Sequence, residues 1–411
     1  MQNNGRSSHS YKEKGQTGSK EVSPGRMVII LNYVPRPSVF NNYGIPYFKK
    51  NDIPFSLVLV KEKLYLNEQL AGLLTEMVEN YGLVTVNGHK SLVSYLQQFK
   101  DISYLVSNLN NCYRNPRLFN KIAQSYKLVG LGLKYTPKSK KDRVARLQAN
   151  PLRILQAAKT KLTKSLTGDF ELQRLSRLYL SNEEIYNKYL NQISDTTKVR
   201  LAPSNEFDHI FHMADELSEL SQKSTCVFLD TNLMFHPDMV RLVGDNPFDK
   251  DSYFSALKSL FQSITNNLKL DIVVALHPSA QHSDYERFLH GVKLVKGNTM
   301  KEVYQSRLVL MHGSTSSMYA AYFGKPLRTL VSNEILSSKR FREGITQWSK
   351  EFAIEPINID TFSSIDIDSS LLRKSDEAYQ GIVARYLMPK GTDTPYYKDL
   401  LESDSSNLLN H

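Results

Sequence analysis

Two short polar clusters, each directly after an apolar run, contain the side chains of this chain that are best suited to bind an anion. They are His277-Pro278 and His312-Gly313-Ser314-Thr315-Ser316-Ser317. Gly313 permits a tight turn, and the hydroxyl of Ser314 or Thr315 can cap a helix that follows. A helix start that carries hydroxyls and free backbone N–H groups attracts anions, because the helix dipole is positive there. The two clusters therefore predict a site for a phosphate group.

The elements around these clusters predict how the clusters are positioned. Apolar runs at 268–276, 292–295 and 308–311 alternate with turn residues and stretches of helical spacing. This alternation is typical of βα units on a parallel sheet. Ligands of such sheets bind beyond the carboxyl ends of the strands. Both clusters fall at predicted strand ends, so we expect them to line one site.

Four further residues are candidates because they follow predicted strands. Asp230 ends the buried run 225–230, and its carboxylate could bind a sugar hydroxyl, act as a catalytic base, or only cap a turn. Arg36, Asn41 and His89 follow strands of the first half and are candidate acceptor or cleft residues. The competing interpretation is that these three are solvated loop residues, since polar loop side chains are mostly exposed.

The hydrophobic pattern predicts an α/β protein with two Rossmann-like domains, because 411 residues are too many for one ordinary core. The predicted parts are a disordered tail over 1–25, an N-terminal Rossmann-like domain over 26–200, a C-terminal Rossmann-like domain over 221–388 and a tail over 389–411. Residues 171–191 are predicted to be helical. The first half lacks a Gly-x-Gly-x-x-Gly dinucleotide fingerprint.

Composition narrows the compartment and the partners. The net charge of +11 favours anionic partners such as nucleotides, phosphorylated lipids, a membrane surface or nucleic acid. Cys112 and Cys226 form no disulfide framework and no metal-ligand pattern, so we expect a reducing, cytoplasmic compartment. No apolar run approaches the ~20 residues that a membrane-spanning helix needs, and the first 25 residues do not resemble a secretory signal.

The segment 134–164 is strongly basic and also contains aliphatic side chains. One interpretation is a cationic amphipathic element of the acceptor domain that contacts an anionic inner-membrane surface or a lipid-phosphate acceptor. The other is a solvated basic face on a helix between the domains. Tyr135 is its one aromatic residue, which argues against nucleic acid as the partner, because single-strand binding relies on aromatic stacking.

The motifs across 224–331 resemble, in order and spacing, glycosyltransferases of the GT-B fold, and more closely bacterial surface-carbohydrate proteins for capsule or lipopolysaccharide biosynthesis. The matching strings are Val227-Phe228-Leu229-Asp230-Thr231-Asn232, His236-Pro237-Asp238, Val273-Val274-Ala275-Leu276-His277-Pro278, Leu308-Val309-Leu310-Met311-His312-Gly313-Ser314-Thr315-Ser316 and Gly324-Lys325-Pro326. Bacterial sialyl-, polysialyl- and Kdo-type transferases carry similar His-Pro and Ser/Thr motifs that hold the phosphate of a CMP-sugar.

The resemblance implies a GT-B-like fold in which two Rossmann-like domains face each other across a cleft. It also implies that the donor-binding residues are His277 with Pro278 and the stretch from His312 to Ser317. The predicted function is then a metal-independent glycosyltransferase that moves a sugar, with a sialic acid or Kdo-type sugar from a CMP donor as the candidate, to a growing cell-surface glycan. The expected partners are the nucleotide-sugar and a glycan or glycolipid acceptor, without a separate cofactor or nucleic acid.

The residue types agree with this chemistry, because glycosyl transfer needs a stabilised phosphate leaving group and a base for the acceptor hydroxyl. His277 and Asp230 are the catalytic candidates. Two alternatives stay open. One is a sugar-nucleotide epimerase or polyol-phosphate transferase on the same fold. The other is a non-catalytic, degenerate transferase, because the acidic Asp/Glu-Asp/Glu-Gly motif of the similar transferases is absent from the sequence.

Overall fold

The computed structural model describes residues 25–35, 40, 42–61, 68–133, 175–182, 193–235, 249–389 and 392–408. Within these ranges the chain forms two parallel β-sheets with helices packed on them. Several predictions fall outside the described residues. These are the candidate residues Arg36 and Asn41, the motif residues 236–238, the tail over 1–24 and the basic segment 134–164.

The first sheet has seven parallel strands in the order β3-β2-β1-β4-β5-β6-β7. The strands are β1 Arg26–Leu31, β2 Phe55–Lys61, β3 Val84–Asn87, β4 Ile102–Asn108, β5 Leu128–Gly132, β6 Arg177–Leu180 and β7 Lys198–Leu201. The helices between them are α1 Ile45–Lys50, α2 Glu68–Tyr81, α3 Gly88–Leu96, α4 Leu109–Arg114 and α5 Pro116–Ile122. The chain winds outward from β1 to β3, then returns to the other side of β1 with β4.

The second sheet repeats this winding with six parallel strands in the order β10-β9-β8-β11-β12-β13. Its strands are β8 Thr225–Leu229, β9 Asp271–Leu276, β10 Lys293–Lys296, β11 Leu308–Met311, β12 Leu327–Val331 and β13 Ile357–Asn358. Its helices are α7 Lys250–Leu268, α8 His282–Glu286, α9 Thr299–Gln305, α10 Ser317–Phe323, α11 Asn333–Ser337, α12 Lys339–Phe352, α13 Asp376–Ile382 and a π-helical turn Val383–Leu387. Helix α6, Asn205–Ser218, joins the two sheets.

Both sheets are buried on both faces, which explains why their central strands are apolar without interruption. In β8, Cys226 and Phe228 belong to one hydrophobic core, whereas Val227 and Leu229 belong to the core on the opposite face. Strands of a parallel sheet covered by helices on both sides need apolar residues at every position. The two doubly wound sheets confirm the predicted fold class, α/β and GT-B-like with two Rossmann-like domains.

The prediction that residues 171–191 are helical is wrong over 175–182, the part of this stretch that the structure describes. Arg177–Leu180 forms strand β6, whose four residues are all buried between β5 and β7. A strand of four residues is too short to show a period of two, and it follows a long stretch with helical spacing. Pairing with strands that lie far away in the sequence decides its structure, which local propensity does not reveal.

The prediction of a tail over 389–411 is wrong for residues 396–408. Helix α14, Tyr396–Leu408, packs on the first domain, and Tyr396, Tyr397 and Leu400 belong to the same hydrophobic core as β1. Gly44 in the first domain lies so close to this helix that a Cβ atom there would be 2.4 Å from Cδ1 of Tyr397. The buried stripe is only three residues long and a polar sequence follows it, so its composition resembles that of a solvated end.

Helix α6 contacts both domains. Ile210 and Leu217 lie in a core of the second domain, and on another face His212 stacks on Tyr397 of α14 with ring centroids 6.0 Å apart. The backbone N–H of Ser204, at the start of this helix, donates to the carbonyl of Leu387 in the second domain (2.7 Å). Across the described parts of the chain, no helix is both long enough and apolar enough to cross a membrane.

Candidate functional site

The structure brings both predicted polar clusters to the same edge of the second sheet. Strand β8 lies between β9 and β11, and His277 and His312 directly follow these two outer strands. Two strand spacings separate the clusters by about 10 Å. The winding of the sheet reverses between β8 and β11, and this is the place where doubly wound sheets bind ligands.

Asp230, which follows β8, is buried and accepts hydrogen bonds through both carboxylate oxygens. Oδ1 accepts the backbone N–H of Asn232 (3.0 Å), while Oδ2 accepts the backbone N–H of His277 (3.2 Å) and the hydroxyl of Tyr285 (2.9 Å). Burial raises the pKa of Asp230 to about 6, although these hydrogen bonds act in the opposite direction. At 9% exposure the carboxylate is turned into the protein. Of the roles considered for Asp230, this geometry favours the structural one, because its oxygens join the ends of β8 and β9.

His277 is partly exposed, and its ring is oriented by Ser279. Nδ1 accepts the backbone N–H of Ser279 (3.2 Å) and lies 2.7 Å from the hydroxyl oxygen of the same residue. A ring nitrogen that accepts an N–H bond carries no proton, so the neutral imidazole has its proton on Nε2. Pro278, which is exposed, follows in a turn closed by a bond from the N–H of Ala280 to the carbonyl of His277 (2.9 Å). His277 can therefore act as a hydrogen-bond donor through Nε2.

Asn232 completes the polar network at the ends of β8 and β9. Its backbone is in the left-handed region with φ 56°, a conformation that asparagine tolerates better than most residues. Its Oδ1 accepts the hydroxyl of Tyr285 (3.0 Å), and its Nδ2 donates to Oγ of Ser279 (3.3 Å). The sequence prediction missed Asn232, Ser279 and Tyr285. The available signal was the position of the first two residues, each two places after a strand-end candidate.

His312 is buried and has both ring nitrogens engaged inside the protein. Nδ1 bonds to the carbonyl of Leu330 (2.8 Å), so it carries the proton, and Nε2 accepts the hydroxyl of Tyr253 (2.7 Å). Burial lowers the pKa of His312 to about 4, so the ring is neutral at pH 7. This corrects the prediction that His312 binds the donor, because no ring nitrogen is directed to a ligand. Its function is to connect β11, β12 and α7.

Gly313 is required by close packing, not by the predicted tight turn. Its φ is not in the left-handed region. A Cβ atom at this position would lie 3.1 Å from Cδ1 and 3.3 Å from Nε1 of Trp348. The indole of α12 thus lies against the backbone at the start of the serine-rich turn and fixes its path.

The serine-rich turn presents three partly exposed residues: Ser314, Thr315 and Ser316. Ser314 Oγ accepts the backbone N–H of Ser316 (3.2 Å), which stabilises the turn before α10 begins. Ser317 is fully buried, and its hydroxyl donates to the carbonyl of Ser314 (2.6 Å). This corrects the prediction that Ser317 contacts the donor. The prediction that Ser314 or Thr315 caps the helix is wrong, because α10 begins after Ser316 and no side chain caps its N–H groups. Ser314, Thr315 and Ser316 retain access to solvent.

His89 lies away from the centre of the first sheet. It is exposed in the first turn of α3, next to β3, the outermost strand. The sheet reverses its winding between β1 and β4, and β3 is two strands, or about 10 Å, from β1. The structure therefore does not bring His89 to the switch point of its own sheet. Within the described ranges, no three His, Cys, Asp or Glu side chains are grouped in a way that could hold a metal ion.

No protein-family model and no curated protein sequence matches this chain. Solved structures do resemble it at low sequence identity. UDP-GlcNAc 2-epimerase from Methanocaldococcus jannaschii, in complex with UDP-GlcNAc and UDP, is 13% identical, with 87% of this chain and 98% of that chain covered and a TM-score of 0.43. Arabidopsis thaliana UGT89C1, complexed with UDP, is 10% identical, with coverages of 93% and 99% and a TM-score of 0.47. A UGT transferase from Siraitia grosvenorii, in complex with UDP, is 10% identical, with coverages of 93% and 99% and a TM-score of 0.43.

Proposed function

We propose that this protein is a glycosyltransferase that uses a nucleotide-sugar donor and binds the donor phosphate at the carboxyl edge of the second sheet. One observation carries the proposal. His277 and the turn Ser314-Thr315-Ser316 follow β9 and β11, the two strands that flank β8, at the point where the sheet reverses its winding. Two strand spacings put the ends of β9 and β11 about 10 Å apart, a separation at which groups following both strands could bind one nucleotide phosphate.

The chemistry of these groups suits a phosphate leaving group. The Nε2–H of His277 is a donor for a phosphate oxygen, and the hydroxyls of Ser314, Thr315 and Ser316 are further donors on the opposite side. Charge that develops on the leaving phosphate is stabilised by such preorganised donors. The side chains that surround the proposed donor phosphate are thus hydrogen-bond donors.

We propose a CMP-sugar of the sialic acid or Kdo type as the donor and a cell-surface glycan or glycolipid as the acceptor, on the basis of the His-Pro and Ser/Thr motifs. The net charge of +11 suits an acceptor that is held at an anionic inner-membrane surface. Because Asp230 is buried and bonded through both oxygens, we propose that another residue deprotonates the acceptor hydroxyl.

Ligand-dependent stabilisation tests the nucleotide site. Melting temperatures are measured with CMP, UDP and GDP, because a ligand that binds only the native state raises its melting point. His277→Ala should abolish most of the shift, whereas His290→Ala, an exposed histidine of the same domain, should keep it. If no nucleotide stabilises the protein, or if His277→Ala responds like the wild type, the proposed site is wrong.

A donor-hydrolysis assay across CMP-sugars and nucleoside-diphosphate sugars then separates a transferase from a binding protein. Release of free nucleotide from one donor, lost in His277→Ala and in Ser314→Ala/Thr315→Ala, supports transfer chemistry. Nucleotide binding without turnover of any donor supports the non-catalytic alternative. Isomerisation of the sugar without its release supports the epimerase alternative.

A further inference from the structure

A continuous path of hydrogen bonds connects buried Asp230 to the partly exposed ring of His277. It runs from Asp230 Oδ2 to the hydroxyl of Tyr285 (2.9 Å), and from this hydroxyl to Oδ1 of Asn232 (3.0 Å). It continues from Nδ2 of Asn232 to Oγ of Ser279 (3.3 Å), and from this oxygen to Nδ1 of His277 (2.7 Å). Residues from three separate segments of the second domain are therefore linked in series, and the last of them, Ser279, contacts one imidazole nitrogen of His277.

The positions of the protons define which group donates in each hydrogen bond of this path. Because the Asn232 amide donates to the Ser279 oxygen, the proton of the Ser279 hydroxyl is available for Nδ1 of His277. The backbone N–H of Ser279 points to the same nitrogen (3.2 Å), so two donors require Nδ1 to be unprotonated. The amide orientation of Asn232 is in turn fixed by its Oδ1, which accepts the Tyr285 hydroxyl.

Asp230 lies at the end of this hydrogen-bond path that is opposite to His277. The Tyr285 hydroxyl has one proton and lies within bonding distance of two oxygens, those of Asp230 and Asn232. Its proton is shared between these two acceptors, and the Asp230 carboxylate, which also accepts the backbone N–H of His277, holds the phenol in place. Burial raises the pKa of Asp230 to about 6, so near pH 7.5 the group is mainly the carboxylate that accepts this hydroxyl. Burial also raises the pKa of Tyr285, so the phenol keeps its proton.

We propose that Asp230, Tyr285, Asn232 and Ser279 are positioning residues that hold His277 as the Nε2–H tautomer and aim this donor at the phosphate of the nucleotide-sugar. This inference rests on the proposed function, in which His277 binds that phosphate. None of the four residues needs to touch the substrate. Their effect is to prevent the other tautomer, which would present an unprotonated Nε2 and repel a phosphate oxygen.

The tautomer can be read directly by long-range proton–nitrogen NMR of the full-length protein labelled with ¹⁵N-histidine, without any ligand. His277 signals are assigned by their loss in His277→Ala. In the wild type at pH 7.5, we expect the Nδ1 shift of an unprotonated ring nitrogen and the Nε2 shift of a protonated one. Ser279→Ala should move both shifts toward those of a tautomer mixture.

Tyr285→Phe provides the decisive comparison, because it changes neither His277 nor Ser279. We expect it to shift the His277 signals in the same direction as Ser279→Ala. Tyr379→Phe is the matched control, since Tyr379 is another buried tyrosine of the second domain whose hydroxyl donates elsewhere, to the carbonyl of Lys325 (2.9 Å); it should leave the His277 signals unchanged. Unmoved His277 signals in folded Tyr285→Phe, or an Nδ1–H tautomer in the wild type, would overturn the proposal.

The NMR result is independent of the proposed function. If His277 shows the expected tautomer and responds to Tyr285→Phe, but no nucleotide binds, then the hydrogen-bond path exists and the proposed nucleotide-sugar site is wrong. If a nucleotide does bind, Tyr285→Phe should weaken binding by several fold while His277→Ala weakens it further. If Tyr285→Phe binds the nucleotide with the affinity of the wild type, the hydrogen-bond path does not contribute to phosphate binding.

Discussion

The hydroxyl of Tyr253 lies 2.7 Å from Nε2 of His312, and this contact gives the histidine a structural role. Both residues are buried, and the second ring nitrogen is bonded to the carbonyl of Leu330. The histidine of the serine-rich motif therefore links α7 to β12 behind the turn, whereas His277, on the other side of β8, is partly exposed.

The Tyr253–His312 contact should contribute measurably to stability. Tyr253→Phe leaves Nε2 of His312 buried without its donor, and we expect the free energy of unfolding to fall by about 1–3 kcal/mol. Urea denaturation at pH 7 measures the change. Tyr322→Phe, at a tyrosine that is 39% exposed, is the control and should change stability little. Equal stability of the two variants would show that the buried contact is not made in solution.

Asp208 predicts an unusual dependence of stability on pH. Its side chain is buried on α6, and across the described structure neither carboxylate oxygen has a hydrogen-bond partner. Burial raises the pKa of Asp208 well above its usual value, and nearby Glu206 acts in the same direction. A raised pKa means that the folded protein holds this proton at a pH where the unfolded chain has lost it. Its stability therefore falls as the pH rises above about 4.

Asp208→Asn removes the ionisation, so the variant should be more stable than the wild type, with a difference that grows from pH 5 to pH 8. Thermal unfolding across this range measures the difference. Asp215→Asn, at an exposed position of the same helix, should follow the wild-type curve. An Asp208→Asn advantage that shrinks as the pH rises would contradict the sign of the pKa shift.

Gly313→Ala should disturb the serine-rich turn through Trp348. The new Cβ would approach the indole to 3.1 Å, so either the backbone or the indole must move, and we expect a loss of about 1–3 kcal/mol. Trp348 is the single tryptophan of the chain, so its fluorescence reports on this site alone. Gly381→Ala, where no atom lies within 4 Å of the added Cβ, should leave the emission maximum unchanged. An unchanged emission in Gly313→Ala as well would mean that the indole does not lie against this turn.

The last helix should be essential to the first domain. Leu400→Ala removes a fully buried side chain from the core that includes β1, and we expect a cost of about 2–5 kcal/mol. Glu402→Ala, two residues further along and exposed, is the matched control and should cost less than about 0.5 kcal/mol. Chemical denaturation compares the two. A neutral Leu400→Ala would support the earlier expectation that the chain ends in a solvated tail.

The sequence was most informative where local pattern and burial agree. Continuous apolar runs such as those of β8 and β9 predicted both sheets, and the position of His277 after β9 placed it correctly at the sheet edge. The pattern failed at β6 and α14, because their burial depends on partners far away in the chain. Arg177–Leu180 is a strand only because β5 and β7 flank it, and Tyr396 is buried only because the first domain receives it.

Side-chain roles at the site were less predictable than positions, for the same physical reason. Nothing near His312 in the sequence indicates that Tyr253, 59 residues earlier, occupies its Nε2. Likewise Tyr285 reaches Asp230 across 55 residues. A strand-end residue can be placed from the periodicity of its strand, whereas its hydrogen-bond partners follow from how loops of different βα units meet.

Because α14 packs on the first domain, the two domains do not simply follow one another in the sequence. The second domain is inserted between two passes of the chain through the first, one ending at α6 and the other beginning after the π-helical turn. An isolated first domain would therefore have to be assembled from two separate stretches of sequence. Two covalent connections, not one, restrain how far the domains can swing apart.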